Sequence, residues 1–115
     1  MDTSMWRERL LGTGGPNWTP QERALLSAFL DWPSVALPIH VLIDAVWVGR
    51  GEEPPLTTDA IIRLYVSRVR RKLRDMGLNP AALVSEPPLA YGLNLDALGA
   101  PPVRKLRQII TMQME

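Results

Sequence analysis

The sequence predicts a mainly α-helical domain with a small β-hairpin near its C-terminal end. Residues 19–22 (Thr-Pro-Gln-Glu) are typical of a helix start. Residues 58–76 place apolar side chains at helical spacing and end at a glycine. Residues 83–85 and 91–95 are short runs with strand character, joined by a Pro-rich stretch. Together these patterns predict a small helical domain that ends in a hairpin.

The composition indicates one domain without disulfides. The chain has 115 residues and no cysteine, which excludes cysteine-ligated metal and is typical of a reducing compartment. No apolar run approaches the roughly 20 residues that span a bilayer, so we expect a cytoplasmic protein without a membrane contact. The 13 basic and 12 acidic residues nearly cancel, but six of the basic ones lie between Arg63 and Arg74. The local field there is far more positive than the net charge of +1.

The N-terminal part divides into a weakly patterned segment and a clear helix. Residues 1–17 contain a Gly/Pro-rich stretch, and we expect an N-terminal arm or a short hairpin there. Thr19 as N-cap, Pro20 at the first helical position and Glu22 at the third form a capping box. The apolar stripe of this helix consists of Leu25, Leu26, Phe29 and Leu30. Pro33 forces the chain out of the helix.

The second helix, predicted over residues 38–47, is apolar on most of its surface. One continuous arc consists of Ile39, Leu42, Ile43, Val46 and Trp47. Val41 and Ala45 lie on the opposite side, so we expect two sides of this helix to be covered. A Gly- and Pro-rich loop follows at residues 49–55. Three tryptophans at helix edges are expected to close the core: Trp18, Trp32 and Trp47.

The third helix, over residues 58–76, combines an apolar stripe with a basic face. At 100° per residue, the stripe consists of Ile62, Val66, Val69, Leu73 and Met76, with Tyr65 at its edge. A second arc consists of Ala60, Arg63, Ser67, Arg70, Arg71 and Arg74, whereas Arg68 and Lys72 flank the stripe on its other side. The stripe suits a core and the basic arc suits a phosphate backbone. A solvated face, whose arginine stems cover apolar surface, is the alternative that the residues leave open.

A C-terminal extension, residues 97–115, is predicted to be helical after Pro101-Pro102. Its apolar stripe consists of Val103, Leu106 and Ile110. We expect this segment to pack on the domain or to pair with a second copy. A homodimer is therefore expected, and the high hydrophobic content of 46% supports it.

The order of the elements is that of a winged helix-turn-helix: a capped helix, a second helix, a loop, a basic helix and a hairpin. A family resemblance rests on Thr19-Pro20-Gln21-Glu22, Trp32-Pro33, Val46-Trp47, Tyr91 and the run Val-Ser-Arg-Val-Arg-Arg-Lys-Leu at residues 66–73. With these residues the chain resembles the DNA-binding domain of OmpR/PhoB-type response regulators. The resembling domain covers residues 18–96.

The resemblance implies a transcription regulator that binds double-stranded DNA sequence-specifically. Residues 58–76 would be the recognition helix in the major groove, and the hairpin would be a wing near the minor groove. The DNA-binding residues that it implies are Arg63, Ser67, Arg68, Arg70, Arg71, Arg74 and Tyr65. Arg63 is expected at a base edge, and the arginines further along the helix at phosphates. Ile61 and Leu64 are expected to pack beneath the hairpin.

The chain departs from the family pattern in three places. The wing carries Glu86-Pro87-Pro88 where a basic wing is usual. We expect the front sheet of the family to be reduced to the arm before Trp18, without a phosphoacceptor receiver domain. The second helix begins with Pro38 where a polar cap is usual, which removes a donor that could face a phosphate. We therefore expect a stand-alone bacterial or phage regulator in which the recognition helix provides most of the DNA affinity.

Other candidate sites point away from catalysis. His40 is the only histidine and lies among apolar residues, which favours a structural role over metal binding or acid–base chemistry. Glu52 and Glu53 lie in a loop that suits solvent or an RNA polymerase contact. We therefore expect no enzyme activity and no cofactor. The alternative function is a module of the same fold that binds RNA polymerase or another regulator.

Overall fold

The computed structural model describes residues 3–87 and 89–99. In these residues the helices are α1 (Thr3–Leu11), α2 (Pro20–Asp31), α3 (Ile39–Val46), α4 (Thr58–Asp75) and α5 (Leu95–Leu98). The strands are β1 (Leu37–Pro38), β2 (Leu83–Glu86) and β3 (Ala90–Leu93). They form one antiparallel sheet in the order β1-β3-β2. The predicted fold class, mainly helical with a small hairpin in a winged helix-turn-helix arrangement, is confirmed.

The N-terminal segment forms a helix instead of the arm or short hairpin that we expected. Trp6 and Leu10 of α1 are buried and join the main core. Trp18 Nε1 donates a hydrogen bond of 2.7 Å to the Leu10 carbonyl, which ties the end of α1 to the start of α2. With only two buried residues, α1 has too short an apolar stripe to reveal its period in the sequence.

Helix α2 begins at the predicted capping box. Glu22 N–H donates to Thr19 Oγ1 at 3.2 Å, and Thr19 N–H donates to Glu22 Oε1 at 2.9 Å. The four predicted stripe residues Leu25, Leu26, Phe29 and Leu30 are all buried. The expectation that Trp32 closes the core is wrong, because its side chain is 60% exposed. Trp32 is the C-cap of α2, so the chain leaves the helix at this residue.

Strand β3 lies close to the backbone segment that precedes β1. Gly92 faces the backbone of Val35, and a Cβ atom at position 92 would lie 2.9 Å from the Val35 carbonyl oxygen. Only glycine permits this approach. The hairpin is shifted relative to the prediction, since β2 extends to Glu86 and Leu95 already belongs to α5.

Helix α3 is covered on most of its surface, as its composition predicted. Leu42 and Val46 are buried. Ile39, Val41 and Ile43 are half-buried against the core. His40 lies on the exposed side of this helix.

Helix α4 places its predicted stripe in the core. Ile62, Val66, Val69 and Leu73 are buried, while Met76 is half-buried. The helix ends at Asp75, and Gly77, which follows the C-cap Met76, has a φ of 80°, the left-handed conformation typical of the residue after a helix C-terminus. The Leu78 N–H donates to the Leu73 carbonyl at 2.9 Å, which satisfies a terminal acceptor.

One expectation for this part of the chain is wrong, and another falls outside the described residues. Leu64 does not pack beneath the hairpin, because its side chain is 47% exposed, although Ile61 packs against the core. The helix predicted in the C-terminal extension falls on residues 100–115, which lie outside the described residues.

Candidate nucleic-acid interface

The basic residues of α4 fall into two groups that differ in their contacts. The first group binds other parts of the domain. Arg70 donates from Nε (3.0 Å) and Nη2 (2.7 Å) to the Leu83 carbonyl, and from Nη2 to Ser85 Oγ at 3.1 Å. Both acceptors lie on β2, so Arg70 joins α4 to the hairpin.

Lys72, on the other side of the apolar stripe, joins α4 to the start of α2. Its Nζ donates to Glu22 Oε1 at 2.5 Å and to the Asn17 carbonyl at 2.9 Å. The same Nζ lies 5.2 Å from the centroid of the Trp18 ring, within range of a cation–π contact. Glu22 is buried, so the ion pair has one partner inside the domain and one at its edge.

The carboxylate of Glu22 is ionised in this arrangement. Burial raises its pKa, but the hydrogen bonds from Lys72 and Thr19 and the charge of Lys72 act in the opposite direction. The net result is a pKa below the ordinary value of 4.5. Glu22 therefore serves the capping box of α2 and the anchoring of α4 at once.

The second group of basic residues points into solvent. Arg63, Arg68, Arg71 and Arg74 are exposed. Across residues 3–87 and 89–99, none of these four side chains makes a hydrogen bond or an ion pair. We call these arginines, together with the exposed Ser67, the basic face. They lie on the side of α4 that is turned away from the core.

Two concave surfaces adjoin the basic face. The first is lined by Leu64, Ser67, Arg68, Arg70, Arg71, Arg74 and Pro80. The second lies between α4 and the hairpin, where Arg63 adjoins Ser85, Glu86, Leu89 and Tyr91. The hairpin connection from Ser85 to Ala90 contains no basic residue. Positive charge is therefore concentrated on the helix.

Two predicted contacts remain: one of Tyr65 with DNA, and one of the loop after α3 with RNA polymerase. Tyr65 is half-buried, and its ring lies 6.1 Å from the ring of Trp47 at an angle of 36°. This packing fixes the ring, and a DNA contact by Tyr65 stays a prediction.

Glu52, in the loop after α3, pairs with Arg50 at 3.2 Å. Leu56 in the same loop is wholly exposed, and an RNA polymerase contact there also stays a prediction.

The sequence did not reveal the two anchoring contacts. Lys72 and Glu22 are 50 residues apart, and Arg70 and Leu83 are separated by 13. Helical spacing identifies which side of α4 a residue occupies, but it does not show which neighbour lies there. The only available signal was that Arg70 and Lys72 border the apolar stripe on opposite sides.

Other kinds of site receive no support from the described part of the chain. Residues 3–87 and 89–99 contain no group of three or more His, Cys, Asp or Glu side chains placed to hold a metal ion. Across the same residues, every helix is too short or too polar to cross a membrane.

Comparison with known proteins identifies the family. Residues 15–93 match the model of the family described as "Transcriptional regulatory protein, C terminal". The regulatory protein AfsR of Streptomyces coelicolor is 43% identical over 82 residues, which are 70% of this chain and 7% of that protein. The regulator EmbR of Mycobacterium tuberculosis is 32% identical over 84 residues, which are 73% of this chain and 21% of EmbR.

A solved structure agrees with these matches. It is that of Mycobacterium tuberculosis EmbR in complex with a low-affinity phosphopeptide, with a TM-score of 0.61 and 34% identity. The match covers 73% of this chain and 21% of that one. The chain thus spans less than a quarter of the length of AfsR and EmbR. The chain belongs to the family of transcriptional regulatory proteins that share this domain, the C-terminal DNA-binding domain of OmpR/PhoB-type regulators.

Proposed function

We propose that this chain is a sequence-specific DNA-binding transcription regulator and that α4 is its recognition helix. The observation that supports this most is the basic face. Four exposed arginines without a partner among the described residues lie on one side of a helix whose other side is buried in the core. Such a helix fits a major groove about 12 Å wide.

The positions of these side chains along α4 suggest different contacts. Arg63 lies in the first half of the helix, where recognition helices reach base edges, and Ser67 follows one turn later at its middle. The guanidinium of Arg63 can donate two hydrogen bonds to guanine O6 and N7. Arg68, Arg71 and Arg74 follow towards the C-terminal end and are suited to phosphates.

The hairpin contributes little electrostatic attraction in this proposal. Glu86 is exposed at its end, and a carboxylate near a phosphate backbone is repelled. The affinity therefore rests on α4, which makes the proposal easy to test by substitution.

The test is a fluorescence-anisotropy titration of the full chain with a labelled duplex selected by it from a random library, at several salt concentrations. The triple variant Arg63→Gln, Arg68→Gln, Arg71→Gln should bind at least roughly a hundredfold more weakly at low salt. The slope of log K against log salt should become less steep by about 1.8, because Arg68 and Arg71 each lose a phosphate contact worth about 0.9.

The matched control carries the same loss of charge elsewhere. Arg7→Gln, Arg9→Gln, Arg23→Gln removes three arginines from α1 and α2, and it should keep nearly the whole affinity and slope. If both triple variants lose affinity equally, binding follows net charge and α4 is not the recognition helix. If the unmodified chain selects no duplex at low salt, the DNA-binding function itself is wrong.

A further inference from the structure

We propose that Arg70 is a positioning residue that fixes the hairpin against the recognition helix, and that it does not itself contact DNA. The inference rests on the proposed function and changes the role that the family resemblance implies for this arginine. It starts from the three hydrogen bonds of Arg70 to Leu83 and Ser85.

The geometry of these bonds suits a guanidinium and no other side chain. Nε and Nη2 point in nearly the same direction from the planar group, and both donate to one carbonyl oxygen, that of Leu83. Nη2 also reaches the Ser85 hydroxyl, two residues further along the same strand. A lysine ammonium in place of Arg70 cannot reproduce this fork.

The acceptors lie where they control the position of the wing. Strand β2 is at the edge of the sheet, next to β3 alone. The hairpin has a second attachment at its other side, where Ile39 N–H donates to the Leu89 carbonyl at 2.9 Å. Over the described residues, the hydrogen bonds from side chains of α4 to the hairpin all come from Arg70. Arg70 therefore fixes the side of the hairpin that faces the recognition helix.

The position of β2 has an electrostatic consequence for DNA. Ser85 accepts from Arg70 and also lines the concave surface between α4 and the hairpin, together with Arg63 and Glu86. A shift of β2 would move the Glu86 carboxylate relative to Arg63 and to any phosphate bound there. Holding β2 in place keeps this negative charge at a fixed distance from the basic face.

The experiment compares Arg70 with Arg74, one helical turn further on and exposed. Arg70→Met and Arg70→Lys should both weaken binding to the selected duplex about fivefold, which corresponds to a net loss of about 1 kcal/mol. Their salt slope should stay within about 0.3 of the unmodified chain. Arg74→Met should reduce the slope by about 0.9, as expected for a lost phosphate contact.

A double-mutant cycle tests the coupling to Ser85. Ser85→Ala should weaken binding about twofold to threefold, and Arg70→Met with Ser85→Ala should bind no more weakly than Arg70→Met alone, because both remove one contact. The proposal is overturned if Arg70→Lys binds like the unmodified chain while Arg70→Met lowers the slope by about 0.9. That pattern would identify a phosphate contact. It is also overturned if Arg70→Met changes neither affinity nor slope.

Hydrogen exchange without DNA separates this proposal from the proposed function. Amides of residues 83–86 and 90–93 should exchange about fivefold faster in Arg70→Met than in Arg74→Met, given the same loss of about 1 kcal/mol. Equal exchange in the two variants would overturn the proposal whatever the DNA titration shows. If exchange changes but the unmodified chain binds no duplex, the proposed function fails. Arg70 is then a structural contact only, and its role in DNA binding is overturned as well.

Discussion

At the scale of single residues, Glu22 links the local structure of one helix to the placement of another. Its carboxylate accepts from Thr19 N–H in the capping box and from Lys72 Nζ on α4. The sequence revealed the first contact, because a capping box has a fixed spacing of three residues. It did not reveal the second, because a contact between distant segments depends on how α2 and α4 pack.

Glu22 should make the stability of the domain depend on acid pH. Its pKa in the folded state is lowered by Lys72 and Thr19, so its contribution is fully present above the unfolded pKa and is lost as pH falls through the folded pKa. Glu22→Gln should lower the free energy of unfolding by about 1–3 kcal/mol at pH 7, as expected for a hydrogen bond to a charged group. The difference from the unmodified chain should shrink below about pH 4.5.

Urea unfolding at pH 7, 5, 4 and 3 measures this difference. Glu53→Gln, a substitution of an exposed loop residue, serves as the control and should change stability by less than about 0.5 kcal/mol at each pH. A constant gap between Glu22→Gln and the unmodified chain from pH 7 to pH 3 would refute the proposed role of its charge.

At the scale of elements, a helix could be predicted from the sequence when its apolar pattern was long enough. Helix α4 could be predicted with its core residues because Ile62, Val66, Val69 and Leu73 repeat over three turns. Helix α1 could not, because it has only two buried residues. Spacing alone assigned Arg63, Arg71 and Arg74 to one arc of α4, whereas it placed Arg68 on the other flank of the apolar stripe. The sequence could not show that Arg70 differs from the exposed arginines, because its acceptor Leu83 lies on β2 and the position of β2 depends on the fold.

The burial of Trp6 gives α1 a measurable role in the fold. Trp6→Ala should destabilise the domain by about 3–5 kcal/mol, because it removes a large buried side chain from the core. Met5→Ala on the same helix is the matched control, since Met5 is 48% exposed, and should cost less than about 0.5 kcal/mol. Chemical denaturation measures both. Equal small effects would mean that residues 3–11 are an arm after all and contribute little to the core.

At the scale of the whole molecule, the distribution of charge matters more than its sum. The net charge is +1, yet four arginines without a partner among the described residues share one face of α4. Exposed carboxylates lie at both ends of α4, at Asp59 and Asp75, and elsewhere, for example at Asp44 and Glu52. On the proposal that this chain binds DNA, the field of DNA orients the basic face before contact, and we expect binding to depend steeply on salt although the net charge is small.

One copy of this domain, with the basic face of α4 as its proposed DNA contact, has limited means to select a DNA sequence. The few side chains of one recognition helix that reach base edges read only a short half-site, and a single DNA-binding module buries only about 600–1,000 Å². We therefore expect two copies of the chain on two half-sites about one helical turn, roughly 10–11 bp, apart.

Each copy has a mass of 12.9 kDa, so sedimentation of the complex with the selected duplex should give the mass of the DNA plus two chains. Inserting about 5 bp between the half-sites should weaken binding strongly, because it turns the second half-site to the opposite side of the duplex, whereas inserting about 10 bp should restore part of the affinity. A complex with one chain at saturation, and no effect of either insertion, would show that the domain acts as a monomer on DNA.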